Sequence, residues 1–167
     1  MRRFVLLLAL AFIAGVPSAS ATPSFLIVRD VSIGGFPRDA RVERALQLFG
    51  RATTVNPIYD SCTLVWRSLG LTLKSYYSQG ALPPCGPSAL HVSTTATDRR
   101  WRTSVGLRIG DPSAKIRRLY PKATYQGKGE WWLSLRPFAG IDLPGLSARA
   151  KAGRVVSLTL HGPRVAY

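Results

Sequence analysis

The sequence predicts an α+β fold: two similar helix/antiparallel-strand units forming one sheet, with short helices packed on one face. Three observations predict it. Val42, Ala45, Leu46 and Phe49 recur at i, i+3, i+4 and i+7, the apolar stripe of an amphipathic helix, and runs of strand formers follow them. Ile116, Leu119 and Tyr120 make a second, shorter stripe, again followed by strand formers. The two stretches also align. Phe49-Gly50-Arg51-Ala52-Thr53 sets on Tyr120-Pro121-Lys122-Ala123-Thr124, which brings Leu48 to Leu119, Ala45 to Ile116 and Gly35 to Gly106.

Taken in order, the chain begins with Arg2 and Arg3, an unbroken apolar run from Phe4 to Val16, and Ala19-Ser20-Ala21. This is the layout of a secretory signal peptide (1–21) cleaved after Ala21. The expected mature chain, 22–167, is a single compact domain of two repeat-like halves, about 24–96 and 97–167. Pro23 to Asp30, carrying SFLIVRD, reads as a first strand, and Val31 to Pro37, with Gly34 and Gly35, as a turn. The first helix is expected over Asp39–Phe49, with Gly50 at its C-terminal end. Cys62–Arg67 and Leu71–Tyr77 read as a hairpin across Ser68-Leu69-Gly70, Ser78–Ser88 as a loop, and Ala89–Thr95 as a short strand.

Val105 to Pro121 then organises the second half. Gly106 and Gly110 permit a sharp backbone path. Asp111 is expected at the N-cap and Pro112 at the first helical position, where a missing N–H costs nothing. Pro121 closes the helix. Lys122–Gly129 reads as a polar turn, Glu130–Arg136 as a strand and Pro137–Pro144 as a loop. Leu146–Arg149 and Val155–Leu160 flank a second hairpin turn at Lys151-Ala152-Gly153-Arg154.

Charge sets the second constraint. The chain carries 23 Lys and Arg against 8 Asp and Glu, a formal net charge of +15. Such an excess attracts polyanions such as nucleic acid, wall polymer or anionic lipid, although arginine-rich composition alone also produces it. Cys62 and Cys85 are the two cysteines, and an even pair in an exported chain reads as a disulfide. It closes a loop worth about 3–4 kcal/mol in the chain-entropy model.

The pattern of turn, short helix ending in Phe-Gly or Tyr-Pro, aromatic strands and a closing Gly-Arg-Val strand resembles two sets of proteins. One is the SmpA/OmlA small envelope lipoproteins; the other is the secreted β-lactamase-inhibitor-protein type. It is also similar to exported actinobacterial proteins with a GLRIGD-type segment and a closing Tyr-Pro. The resemblance implies a helix-plus-sheet repeat and a role in binding proteins or envelope components. The departures are specific. There is no lipobox cysteine, only one cysteine pair is available, and the Ser68-Leu69-Gly70 turn lacks the acid that the inhibitors present. No inhibitory residue is therefore carried over.

No catalytic constellation stands out. His91 and His161 read as rim residues of strands, no GxSxG turn occurs, and no close acid pair suggests glycosidase carboxylates. GLRIG lacks the spacing and lysine of a P-loop, and Asp111 puts an anion where phosphate would sit. No metal-ligand spacing is present, and no cofactor is expected. The best binding candidates are Arg99, Arg100, Trp101 and Arg102, with Arg117 and Arg118: guanidinium forks for phosphate or carboxylate and an indole for stacking. The competing reading buries Trp101 and leaves the arginines as solvated surface. Of the adjacent Trp131 and Trp132, one is expected to face the core and the other to mark a contact surface. Together these features predict a secreted, non-catalytic protein-interaction module. The alternative is charge-driven binding of an anionic polymer, either wall polymer or nucleic acid.

Overall fold

The computed structural model describes residues 24–76 and 85–163; the predicted signal peptide lies outside them. The first elements are three short strands, β1 (Leu26–Val28), β2 (Ser32–Ile33) and β3 (Phe36–Pro37). Helix α1 (Val42–Phe49) follows, then β4 (Thr54–Ile58), β5 (Ser61–Trp66), β6 (Leu71–Tyr76) and β7 (Leu90–Ala96). The second half comprises β8 (Arg102–Thr103), α2 (Ala114–Leu119), β9 (Thr124–Gly127), β10 (Glu130–Phe138), β11 (Ile141–Lys151) and β12 (Arg154–His161).

Eight of the strands form one antiparallel sheet in the order β4-β5-β6-β7-β12-β11-β10-β9. A second, four-stranded sheet runs β3-β2-β1-β8, with β8 parallel to β1. This overturns the α+β expectation. Among the described residues the protein is mainly β, the two α-helices are only eight and six residues long, and the small sheet joins them in covering the large one. The two-unit tandem repeat goes with it, because β8 from the second half completes a sheet begun by β1–β3 from the first. Several segments with the composition of turns are strands. Pro137–Pro144, expected as a loop, is mostly strand in β10 and β11, and the polar Lys122–Gly129 contains β9. Both are stretches in which partners across the ladder, rather than local propensity, settle the backbone.

Alternation on the large sheet decides what is inside. The pairs Trp66↔Leu71↔Ala96↔Leu158↔Ala148↔Trp131 form one inward row, and Leu64↔Leu73↔Thr94↔Leu160↔Leu146 the next. Ile27, Ile33 and Phe36 of the small sheet, Val42 and Ala45 of α1, and Ile116 of α2 complete the same core cluster. Trp131 packs against that core as expected.

Three ties lock the covering layer down. Phe49 meets Trp66 edge-on at 5.5 Å, and the Trp66 indole N–H donates to the Gly50 carbonyl at 2.9 Å. Asp30, at φ 59°, turns its carboxylate onto the Ser134 hydroxyl, whose oxygen accepts the Leu146 N–H. A Cβ at Gly145 would run into that carboxylate, so a larger residue there has to displace the Asp30 side chain from Ser134. Cys62 and Cys85 are disulfide-bonded with their Cα atoms 5.3 Å apart, which ties the segment before β7 to β5. A formed disulfide suits an oxidising, extracytoplasmic setting. No helix among the described residues is long and apolar enough to cross a membrane.

Candidate functional site

The face of the large sheet turned away from the core is rich in hydroxyls. One row reads Thr54↔Val65↔Thr72↔Thr95↔Thr159↔Ser147↔Trp132, and a second Asn56↔Thr63↔Lys74↔Ser93↔His161. All but Ser147 remain at least partly exposed. Their polar atoms bond within the face. Thr95 and Thr159 share a hydrogen bond of 3.0 Å, and Ser147 Oγ lies 2.9 Å from His161 Nε2. Trp132 is the outward member of the tryptophan pair, half-buried and with its N–H towards Glu130. Charge on this face is sparse, with Lys74 and Arg149 facing solvent and Glu130 opposite Arg149.

Apolar side chains are exposed at one end of this sheet. The β4–β5 turn presents Ile58 and Tyr59, 56% and 97% exposed. The β10–β11 turn presents Phe138 and Ile141, 49% and 55% exposed. Ile58 pairs with Ser61, Ser61 with Tyr76 and Tyr76 with Leu90, while β12 ends at His161 opposite Ser93. β11 begins beyond that point, since Leu146 already pairs with Leu160. Both tips therefore project from the same end of the sheet. Neither tip carries a local pattern that marks it in the sequence: Phe138 and Ile141 lie in the expected loop Pro137–Pro144, and Ile58-Tyr59 in a stretch without a periodic signal.

The predicted arginine–tryptophan group is divided. Trp101 is fully buried; its N–H donates to the Leu69 carbonyl at 2.7 Å and its ring meets Phe25 edge-on at 5.0 Å. It offers no stacking surface. Arg100 pairs with Asp98 at 2.9 Å, and its guanidinium lies 4.2 Å from the centre of the Phe25 ring. The hydrogen bonds from the Arg100 side chain and backbone N–H hold the Asp98 carboxyl below the usual carboxylate range. Arg117 lies over Trp131 at 5.3 Å. Arg99 and Arg118 are exposed.

Arg102, in β8, pairs directly across an antiparallel bridge with Arg108. Around them opens a cavity of about 570 Å³ lined by Arg102, Ser104, Gly106, Arg108, Asp111 and Lys115, among others. Asp111 is not the cap of α2; Ser113 holds that position without a side-chain bond, and Pro112 lies before the helix. The Asp111 carboxylate instead accepts the Arg108 N–H at 2.8 Å and the Lys115 ammonium at 2.7 Å. Those bonds outweigh partial burial and depress its pKa. Gly106 and Gly110 do adopt positive φ, at 90° and 96°, and Pro121 follows the helix closely.

His91 is not a rim residue but is buried against Phe36. Its Nδ1 lies 2.6 Å from the Arg38 carbonyl and so carries the proton, leaving Nε2 to accept from Thr94 at 2.9 Å. Burial lowers the pKa of both His91 and His161 to about 4.

No family model matches the chain, and no curated protein does. Among solved structures it is similar to an extracellular protein containing an SCP domain from Bacillus anthracis str. Ames. The TM-score is 0.45 at 12% identity, covering 75% of this chain and 44% of that one. It is also similar to a cysteine-rich secretory protein from Staphylococcus aureus, with a TM-score of 0.47 at 14% identity, covering 83% and 50%. The chain thus spans about half the length of each. Neither is described as a β-lactamase inhibitor or an SmpA/OmlA protein, so they add nothing to that resemblance.

Proposed function

We propose that this chain is an exported, non-catalytic module that binds another extracytoplasmic protein through the outward face of its large sheet. The observation that carries the reading is the pairing of that hydroxyl-rich face with two exposed apolar tips, Ile58-Tyr59 and Phe138/Ile141, at one end. Apolar anchors beside a field of hydrogen-bonding groups are the anatomy of a protein interface. Few charges lie on the face, so a neutral protein surface suits it better than a polymer of phosphates. The signal-like N-terminus, with cleavage after Ala21, and the Cys62–Cys85 disulfide support export. The alternative of an anionic polymer rests on the net charge of +15, but Trp101, its stacking element, is buried.

The test is capture from envelope and culture fractions by the immobilised, oxidised protein at low and high salt. A partner retained at high salt, and lost with Tyr59→Ser/Phe138→Ser, supports the reading. Capture that disappears as salt rises and is indifferent to the tip variant selects the polymer instead. Self-association abolished by the tip variant would show that the surface joins copies of this chain.

A further inference from the structure

We infer that the cleft between β8 and α2 binds a phosphoryl group, gripped by Arg102 and Arg108. Arg102 and Arg108 face each other across an antiparallel bridge, where side chains stand on the same side and close together. Like charges so placed repel, and the sheet gains nothing from them without a counter-ion. The nearby carboxylate does not supply one in full: Asp111 is engaged by the Lys115 ammonium and by the backbone N–H of Arg108. Among the described residues, neither guanidinium of this pair has a hydrogen-bond or ion-pair partner. Three cations thus share one acid around the cavity, which leaves two positive charges uncompensated.

The remaining features fit a tetrahedral phosphoryl anion. Two guanidinium forks can each give parallel N–H donors to phosphate oxygens. The Ser104 hydroxyl lines the same space as a further donor, and Leu26, paired with Arg102 in the neighbouring strand, supplies an apolar wall. The volume of about 570 Å³ lies in the range of small-ligand sites and exceeds what one phosphate fills. A second hollow of about 550 Å³ shares Asp111 and Lys115 with the first and leads on to Arg118. The phosphoryl group therefore belongs to something larger, either a phosphomonoester of a small molecule or a unit of a phosphodiester polymer. This cleft is built from other elements than the apolar tips, so it adds a second ligand to the module and does not depend on the protein partner.

The experiment is calorimetric titration of the oxidised protein with inorganic phosphate, glycerol phosphate and short poly(glycerol phosphate), in chloride buffer of constant ionic strength. Saturable phosphate binding is expected, weakened about tenfold or more by Arg102→Ala or Arg108→Ala, because each removes a charge-assisted bidentate contact. Arg51→Ala, an exposed arginine elsewhere, is the charge control and leaves the affinity unchanged. Tighter binding of the monoester identifies a small phosphorylated ligand, and tighter binding of the polymer a wall-type phosphodiester. No binding, or equal weakening by all three arginine variants, overturns the assignment. Tyr59→Ser/Phe138→Ser retains phosphate binding, and Arg102→Ala/Arg108→Ala retains the protein partner, so the two readings fail separately.

Discussion

Acidification from pH 7 to pH 5 is expected to destabilise this protein through its two histidines. Both are neutral in the folded state with pKa values of about 4, depressed by burial. In the unfolded chain each returns to about 6.5. Above pH 6.5 both states are neutral and the histidines contribute nothing to pH dependence. Below it the unfolded state takes up protons that the folded state refuses, so stability falls until the folded pKa is reached. One pKa unit is about 1.4 kcal/mol, so the full effect is about 3 kcal/mol per histidine near pH 4. At pH 5 roughly two thirds of it is expressed, or about 4 kcal/mol for the pair. Against a total stability of about 5–15 kcal/mol, that loss is large. The depressed carboxyls of Asp98 and Asp111 act in the same direction but below pH 4, outside this window. Urea denaturation followed by tryptophan fluorescence at pH 7, 6, 5.5 and 5 measures the loss. His161→Gln removes about half of the slope, because His161 is one of only two imidazoles in the chain. Equal stability at pH 7 and pH 5, or a loss that starts only below pH 4, would refute the reasoning.

Reduction of Cys62–Cys85 is expected to cost about 3–4 kcal/mol, read from denaturant midpoints with and without reductant. Gly145→Ala drives a methyl into the Asp30 carboxylate and destabilises by about 1–3 kcal/mol; adding Asp30→Ala recovers part of that loss in a double-mutant cycle. Trp101→Phe leaves the part-buried Leu69 carbonyl without its donor and opens space in the core, at a cost of about 2–4 kcal/mol in thermal unfolding, with partner capture unchanged. Tyr59→Ser, at a 97% exposed position, changes stability by less than about 0.5 kcal/mol while weakening partner capture.

The sequence by itself determined several local features. The stripe of α1 and its closing Gly50, the hairpins of β5 with β6 and β11 with β12, and the opposed faces of Trp131 and Trp132 all follow from period and turn chemistry. The cysteine pair follows from count and compartment. Strands β4 and β9, the outer half of the β10–β11 hairpin, and the short strands β2, β3 and β8 that join the expected first strand in a second sheet were decided by tertiary structure. Short or polar segments become strands there because a neighbour offers a ladder to complete, and no local pattern records that offer. The same cause hid the sites. Trp101 sits among four charged or polar neighbours in sequence yet faces the core, and Asp111 has the composition of a cap yet bonds to Lys115 and to Arg108. Arg102 and Arg108, six positions apart in sequence, become a cation pair only because the chain folds back between them. Periodicity fixes which side of an element is apolar, but the partner that side meets is a property of the assembled chain.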